Sequence, residues 1–217
     1  MKGLAQLAGL ILAAGESSRM GTDKAMLPWP PPAPGEIDPP RHTLLTSAIV
    51  ALDPFARITI VVAGKNAEAI ATTVGACGAY LVRNPNPQLG QFSSLQIGLR
   101  YVLDRGCDAA MITPVDCPPL RPSSLELLRN AFLGALDHGL WAVAPENNGK
   151  HGHPLLVGRD LIDIFLLAPA TGNAREILHN HESQVVYVPV PDSLFKAGLN
   201  TPEDYEAQGI EPRRPLN

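Results

Sequence analysis

Disulfide-forming cysteines, long apolar runs and an excess of positive charge are all missing from this 217-residue chain, and each absence excludes a class of protein. The three cysteines, Cys77, Cys107 and Cys117, are odd in number and unevenly spaced, which argues against a disulfide framework and suits a reducing compartment. Seventeen Lys and Arg against 21 Asp and Glu give a net charge of −4, and no segment concentrates the positive residues. A nucleic-acid surface or an anionic-membrane surface is therefore not expected. No apolar run approaches the roughly 20 residues needed to cross a bilayer. The apolar start, Leu4 to Ala14, is broken by Gln6 and is not followed by a small-residue cleavage site, so it reads as a strand, not a signal peptide. A soluble, cytoplasmic protein is expected.

What is present is a hydrophobic content of 45%, enough for a core that needs no disulfide or structural metal. At this length about 70% of the unfolded chain's surface can be buried. A single domain spanning 1–217 is expected. Short β-rich apolar runs alternate with longer segments of helical spacing. This is the pattern of an α/β protein, a three-layer open and mostly parallel sheet with helices on both faces. The expected strands are Gly9–Ala13, Ile58–Val62, Ala79–Val82, Ala109–Thr113, Trp141–Ala144 and Val185–Val188. The expected helices are Thr43–Leu52, Ala67–Cys77, Ser93–Asp104, Ser123–Leu136, Arg159–Leu167, Ala174–His181 and Pro202–Gln208. Thr201-Pro202-Glu203-Asp204 supplies an N-cap, a Pro at the first helical position and an acidic first turn. One segment interrupts the alternation. The prolines between about 29 and 41 leave backbone positions without donors, so this stretch reads as a Pro-rich surface insertion.

The strongest chemical signal follows the first strand: Leu10-Ile11-Leu12-Ala13-Ala14-Gly15-Glu16-Ser17-Ser18-Arg19-Met20-Gly21-Thr22-Asp23-Lys24. A buried strand empties into a loop of small residues with two hydroxyls and two cations, at the edge where open α/β sheets place their ligands. Small residues let backbone N–H groups approach an anion, while Arg19 and Lys24 offer a fork and a point charge to phosphoryl oxygens. The spacing fits neither a P-loop nor the dinucleotide glycine pattern. An ordinary glycine turn with surface cations is the alternative on spacing alone.

These residues resemble the L-A-A-G-x-S-S-R-M-G-x-x-K signature of the MobA-like NTP transferases, and the Ala13-Ala14 pair is closest to the branch containing the molybdenum cofactor cytidylyltransferases (MocA-like). The resemblance implies the Rossmann-like fold of nucleotide-diphospho-sugar transferases. It also implies that Ala13, Ala14, Gly15, Ser17 and Ser18 bind nucleotide while Arg19 and Lys24 act in catalysis. It continues through Asn84-Pro85 and Gly90-Gln91-Phe92-Ser93-Ser94-Leu95, where Ser94 would meet the nucleotide. From the residues alone, Ser93 and Ser94 sit where an N-cap hydroxyl would face a ligand, or are plain helix caps.

Further on, Thr113-Pro114-Val115-Asp116-Cys117-Pro118-Pro119-Leu120 delivers one carboxylate into a Pro-stiffened loop at the same sheet edge. It is similar to the family's G-D-x-P-L loop, whose Asp coordinates Mg²⁺, although Val115 replaces the Gly. Mg²⁺ takes one or two protein oxygens and completes its shell from phosphate and water. Cys117 carries no sign of an activated thiolate. Lys150-His151-Gly152-His153-Pro154 resembles the family's Gly-His-Pro motif, which implies an acceptor-side role for His153; a structural role is the alternative. The two imidazoles alone do not make a transition-metal site. Gly172-Asn173-Ala174-Arg175 departs from the family's pattern, which withholds an acceptor role from Arg175. The closing Asn200-Thr201-Pro202-Glu203-Asp204 resembles the family's last motif and puts Asn200 beside Asp116 as a metal ligand.

The implied chemistry is transfer of NMP from an NTP, CTP in this branch, to a phosphorylated acceptor, molybdopterin or its molybdate complex, with Mg²⁺ as cofactor and Mn²⁺ as a substitute. The implied partners are these small molecules and a receiving molybdoenzyme or its chaperone. Two readings stand beside it. One is a sister transferase using GTP with molybdopterin or UTP with a sugar phosphate. The other is a non-catalytic nucleotide-binding module that escorts cofactor.

Overall fold

The computed structural model describes residues 5–15, 20–32, 42–192, 194 and 198–208. Eight strands form one sheet: β1 (Leu7–Ala13), β2 (Ile58–Ala63), β3 (Tyr80–Arg83), β4 (Ala109–Pro114), β5 (Ala142–Asn147), β6 (Lys150–His151), β7 (Leu155–Val157) and β8 (Val185–Pro189). The helices are α1 (Leu44–Leu52), α2 (Ala67–Ala76), α3 (Gln91–Asp104), α4 (Pro122–Asp137), α5 (Arg159–Leu167), α6 (Ala174–Asn180) and α7 (Pro202–Ala207). Strand pairing runs β3-β2-β1-β4-β7-β5, with β6 and β8 also pairing with β5. β1 lies parallel to both β2 and β4, with Leu10 opposite Ile60 on one side and Ile112 on the other.

The sheet is mixed. β7 runs antiparallel to both β4 and β5, while β8 lies parallel to β5. β6 and β7 are the two strands that the sequence pattern does not announce. They are two and three residues long, too short to show a period of two.

The inner strands are apolar on both faces because both are covered. Along β1, Leu7, Ile11 and Ala13 face a core built with Leu45, Ile49 and Leu52 of α1, Ile70 and Val74 of α2, and Leu128 and Phe132 of α4. Ala8, Leu10 and Leu12 face the opposite core with Phe92, Leu95 and Leu99 of α3 and Phe165 of α5. Helix α3 lies close on β1 and β2 because Gly98 stands at the contact. A Cβ there would lie 2.5 Å from Leu10 Cδ1 and 2.9 Å from Val62 Cγ2.

Helix ends depart from expectation in one place that matters. Helix α3 starts at Gln91 with Gly90 as its N-cap, so Ser93 and Ser94 are buried first-turn residues and not the cap. Helix α7 is capped as its sequence indicates. The Thr201 side chain accepts from the Asp204 backbone N–H, and Asp204 reciprocates. The Pro-rich stretch is pinned where it leaves the fold: Trp29 N donates to the His42 carbonyl at 2.8 Å and Leu44 N to the Leu27 carbonyl at 2.8 Å. Its residues 33–41 lie outside the described residues.

Two of the α-helical glycines, Gly98 and Gly134, have opposite surroundings and test this packing. Gly98→Val should cost about 1–3 kcal/mol by overpacking. Gly134→Ala, on the exposed side of α4 with nothing within 4 Å of the added Cβ, should gain about 0.5–1 kcal/mol. Thermal unfolding resolves both, since a domain of this size shifts about 2–4 °C per kcal/mol. A Gly98→Val variant with no loss of Tm would show that α3 does not pack as described.

Candidate active site

The chain builds β2 and β3 on one side of β1 and then crosses back along α3 to lay β4 on the other side. Strand order therefore reverses between β1 and β4, and open α/β sheets bind ligands in the crevice beyond the strands' carboxyl ends at such a point. A cleft of about 350 Å³ opens there. Its walls are the end of β1 with Ala13, Ala14 and Gly15, the start of α3 with Gly90, Gln91 and Ser94, the end of β4 with Asp116, and the outlying Asp23, Lys24 and Asn200. Thus seven residues singled out from the sequence, Ala13, Ala14, Gly15, Lys24, Ser94, Asp116 and Asn200, share one cavity. Ser17, Ser18 and Arg19 lie outside the described residues.

The cleft's electrostatic centre is Lys24. Its Nζ lies 3.1 Å from Asp116 Oδ2 and 3.1 Å from Asn200 Oδ1, and the residue is 9% exposed. Each partner is held from behind. Asn200 Nδ2 donates to the Gly198 carbonyl at 3.1 Å, which turns Oδ1 toward the lysine. Asp204 Oδ2 accepts from the backbone N–H of Asn200 at 3.0 Å and of Thr201 at 2.9 Å, and these bonds hold its carboxyl below the usual carboxylate range. Leu199 N donates to the Asp116 carbonyl at 2.9 Å and ties the two loops together.

Two asparagines organise the walls. Buried Asn84 donates through Nδ2 to Ser93 Oγ at 3.0 Å and Ser94 Oγ at 2.9 Å, while its Oδ1 accepts from Asn86 N at 2.9 Å. This locks the first turn of α3 against the end of β3 and explains why an Asn-Pro precedes the serines. Asn66 is a residue the sequence reading misses. Its Nδ2 donates to the Ala13 carbonyl at 3.1 Å and to Asp23 Oδ2 at 2.9 Å, and its Oδ1 accepts from Gly64 N at 3.1 Å. One amide thus joins the end of β1, the end of β2 and the turn that carries Lys24. Gly64 beside it has no room for a side chain, since a Cβ would lie 2.8 Å from the Ala14 carbonyl.

His153, expected on the acceptor side, stands apart from the other residues singled out. It does not line the cleft. Its ring lines a second, much smaller cavity with Leu52, Cys117, Pro119 and Leu125. The enclosure by α1 and the 114–120 loop sets this orientation, and burial lowers its pKa, so the ring is neutral. Its Nδ1 is buried with no hydrogen-bond partner among the described residues. His151 turns the other way and stacks on Tyr187, with ring centroids 3.6 Å apart and planes 10° from parallel. Cys117 is inert as a nucleophile: burial, and then the neighbouring Asp116, pushes its thiol up to about 12. Asn173 caps α6 by accepting from Arg175 N at 2.9 Å, and Arg175 itself is exposed.

The donor set fits a divalent cation. A carboxylate oxygen and an amide oxygen converge on one cationic atom, the Lys24 ammonium, so the geometry of a two-oxygen cation site is present. Among the described residues no three His, Cys, Asp or Glu side chains converge on a metal position. Two hard oxygens with the remaining shell left to phosphate and water suit Mg²⁺ or Mn²⁺ rather than Zn²⁺.

Fold and cleft together define an open α/β protein with a lysine, a carboxylate and an amide gathered at its switch point. The chain belongs to the MobA-like NTP transferase family, whose domain matches residues 9–185. A probable molybdenum cofactor guanylyltransferase of Mycobacterium avium (strain 104) is 29% identical over 204 residues, covering 93% of this chain and 94% of that protein. The molybdenum cofactor cytidylyltransferase of Escherichia coli (strain K12) is 27% identical over 199 residues, covering 90% and 92%. Two crystal structures of Rv0371c from Mycobacterium tuberculosis H37Rv share the fold. One has a TM-score of 0.74 at 22% identity over 94% of this chain and 97% of that one. The other, a complex with manganese, has a TM-score of 0.70 at 20% identity over the same shares of the two chains.

The asparagine node yields a direct test. Asn66→Asp replaces two donated bonds with a carboxylate facing the Ala13 carbonyl and Asp23. Urea unfolding should show a loss of about 1–3 kcal/mol, and the Tm gain on adding NTP should shrink. A variant with wild-type stability and an unchanged NTP response would remove Asn66 from the site's framework.

Proposed function

We propose that this protein is a Mg²⁺-dependent nucleotidyltransferase that moves NMP from CTP to the phosphate of molybdopterin or its molybdate complex and releases pyrophosphate. The observation that supports this most is the Lys24, Asp116 and Asn200 cluster standing in one cleft with the small-residue end of β1. Family membership supports the reaction class, and the relatives named as molybdenum cofactor nucleotidyltransferases favour this acceptor.

In this reading the acceptor phosphate, already ionised at neutral pH, attacks the α-phosphorus in line. The protein's work is positioning and charge neutralisation, with no general base required. Ala13, Ala14 and Gly15 let the backbone approach the nucleotide, and Ser94, held by Asn84, faces it from the first turn of α3. Lys24 neutralises charge on the departing pyrophosphate, and Arg19 takes the second cationic role from its place in the signature. Asp116 and Asn200 hold the divalent ion, which when bound acts as a Lewis acid on phosphoryl oxygens. The substrates are small molecules, the product passes to a molybdoenzyme or its chaperone, and the reaction is placed in the cytoplasm. Among the described residues no helix is long and apolar enough to cross a membrane.

CTP is favoured as donor by the Ala13-Ala14 pair at the cleft wall. GTP is the second reading, and the 29% identity to a guanylyltransferase against 27% to the cytidylyltransferase favours it.

Thermal unfolding with Mg²⁺ and each of CTP, GTP, UTP and ATP separates the donors, because a ligand at 100 times its Kd adds about 2.7 kcal/mol. The true donor should raise Tm by several degrees, and EDTA should diminish the rise. Turnover with molybdopterin should then follow the same nucleotide. Asp116→Asn should abolish Mg²⁺-dependent product formation with the fold intact, and Lys24→Ala should lower kcat ~10²-fold. Full activity in both variants would move the chemistry away from this cluster.

A further inference from the structure

We infer that in the nucleotide-free protein Lys24 occupies the divalent-cation position, so that metal binding at Asp116 and Asn200 is conditional on nucleotide. The inference rests on the reading of those two residues as the metal ligands and adds a role for the lysine. Its Nζ lies 3.1 Å from Asp116 Oδ2 and 3.1 Å from Asn200 Oδ1, within the space that a metal bound to both oxygens would need. Mg²⁺ sits about 2.0–2.1 Å from its oxygens, so the ammonium and the ion cannot share the position.

The lysine is delivered there by design of the chain around it. It opens the 3₁₀ turn Lys24–Met26, whose N-cap Asp23 accepts from Ala25 N at 3.0 Å through Oδ1. The other oxygen of Asp23 is held by Asn66 at 2.9 Å. With the backbone pinned on both sides of the cap, the side chain is the part that can move. It is buried, and the space open to it is the cleft.

Charge decides when it moves. Asp116 contributes one negative charge, whereas Asn200 contributes only a dipole. Lys24 is the cation already paired with Asp116, and a divalent ion beside it would set two like charges against the ammonium at short range, while Asp23, another carboxylate of the cleft wall, is engaged by Ala25 N and Asn66. A nucleotide triphosphate removes this obstacle. Its phosphates offer the ammonium a new anionic partner and offer the metal further oxygens, so one ligand both relocates Lys24 and completes the metal's shell. By linkage, the metal must then tighten nucleotide binding by the same factor by which nucleotide tightens the metal.

The test is Mn²⁺ binding to the full-length protein without nucleotide, read from the electron paramagnetic resonance of free Mn²⁺. Lys24→Gln and Lys24→Met, each first shown to unfold cooperatively, should bind Mn²⁺ alone at least about tenfold more tightly than wild type, a difference of about 1.4 kcal/mol. Lys24→Arg keeps the cation and should bind as weakly as wild type. Asp116→Asn should weaken Mn²⁺ binding in every background. If the neutral variants bind Mn²⁺ no better than wild type while Asp116→Asn still weakens it, the inference fails and the ligand assignment stands. Mn²⁺ affinity unaffected by Asp116→Asn in the Lys24→Gln background would overturn the ligand assignment and this inference with it.

Discussion

One buried ammonium holds this site together. Lys24, Asp116 and Asn200 are separated by 92 and 176 residues from the lysine, yet two 3.1 Å contacts bring them to a point. Everything around that point serves to keep it formed. β4 presents Asp116, Asn66 and Asp23 fix the lysine's backbone, and the Gly198 carbonyl with Asp204 aims Asn200. The pair is part-buried, and such a pair is favoured where its remaining bonding capacity is met. The amide of Asn200 does this for the ammonium without adding a second negative charge.

The sheet explains why the cluster falls where it does. Strands that are apolar on both faces must be covered on both, which leaves their ends as the places where polar groups can gather without being buried unpaired. At the carboxyl ends of β1 and β4 the strand order reverses, and there α3 covers the face opposite to that covered by α1 and α4. The helix α3 start then closes one wall, and it can do so closely because Gly98 lets the helix press on β1 and β2. Packing at the middle of the sheet thus sets the width of the cleft at its edge.

The inner strands and most helices were legible in the sequence because their signals are local. Period, caps and small-residue loops can be read along the chain, as at Thr201–Asp204 or in the run from Leu10 to Lys24. The cleft residues were legible for a different reason, since the spaced motifs of a recognisable family carry them. What was not legible depends on contacts between distant segments. Asn66 follows a glycine and a lysine in an ordinary-looking turn, and only the meeting of the ends of β1 and β2 with the Lys24 turn gives its amide three partners. β7 is three residues long and takes its antiparallel place from β4 and β5, not from its own pattern. His153 shows the converse, because a motif says which residue matters but not which way its ring turns. Here the enclosure by α1 and the loop behind Asp116 decides that.

That inward turn bears on how the metal loop is supported. Residues 114–120 carry Asp116 on a path stiffened by Pro118 and Pro119, but rigidity alone does not hold a loop at a fixed depth. The His153 ring lines one small cavity with Cys117 and Pro119 on the loop's inner side. A charged imidazole at this position would sit in an apolar enclosure, so burial keeps it neutral and the loop's underside remains without a second cation. Lys24 is then the described positive group in contact with the Asp116 carboxylate, and the carboxylate's response to an incoming ion is governed by the lysine that already touches it.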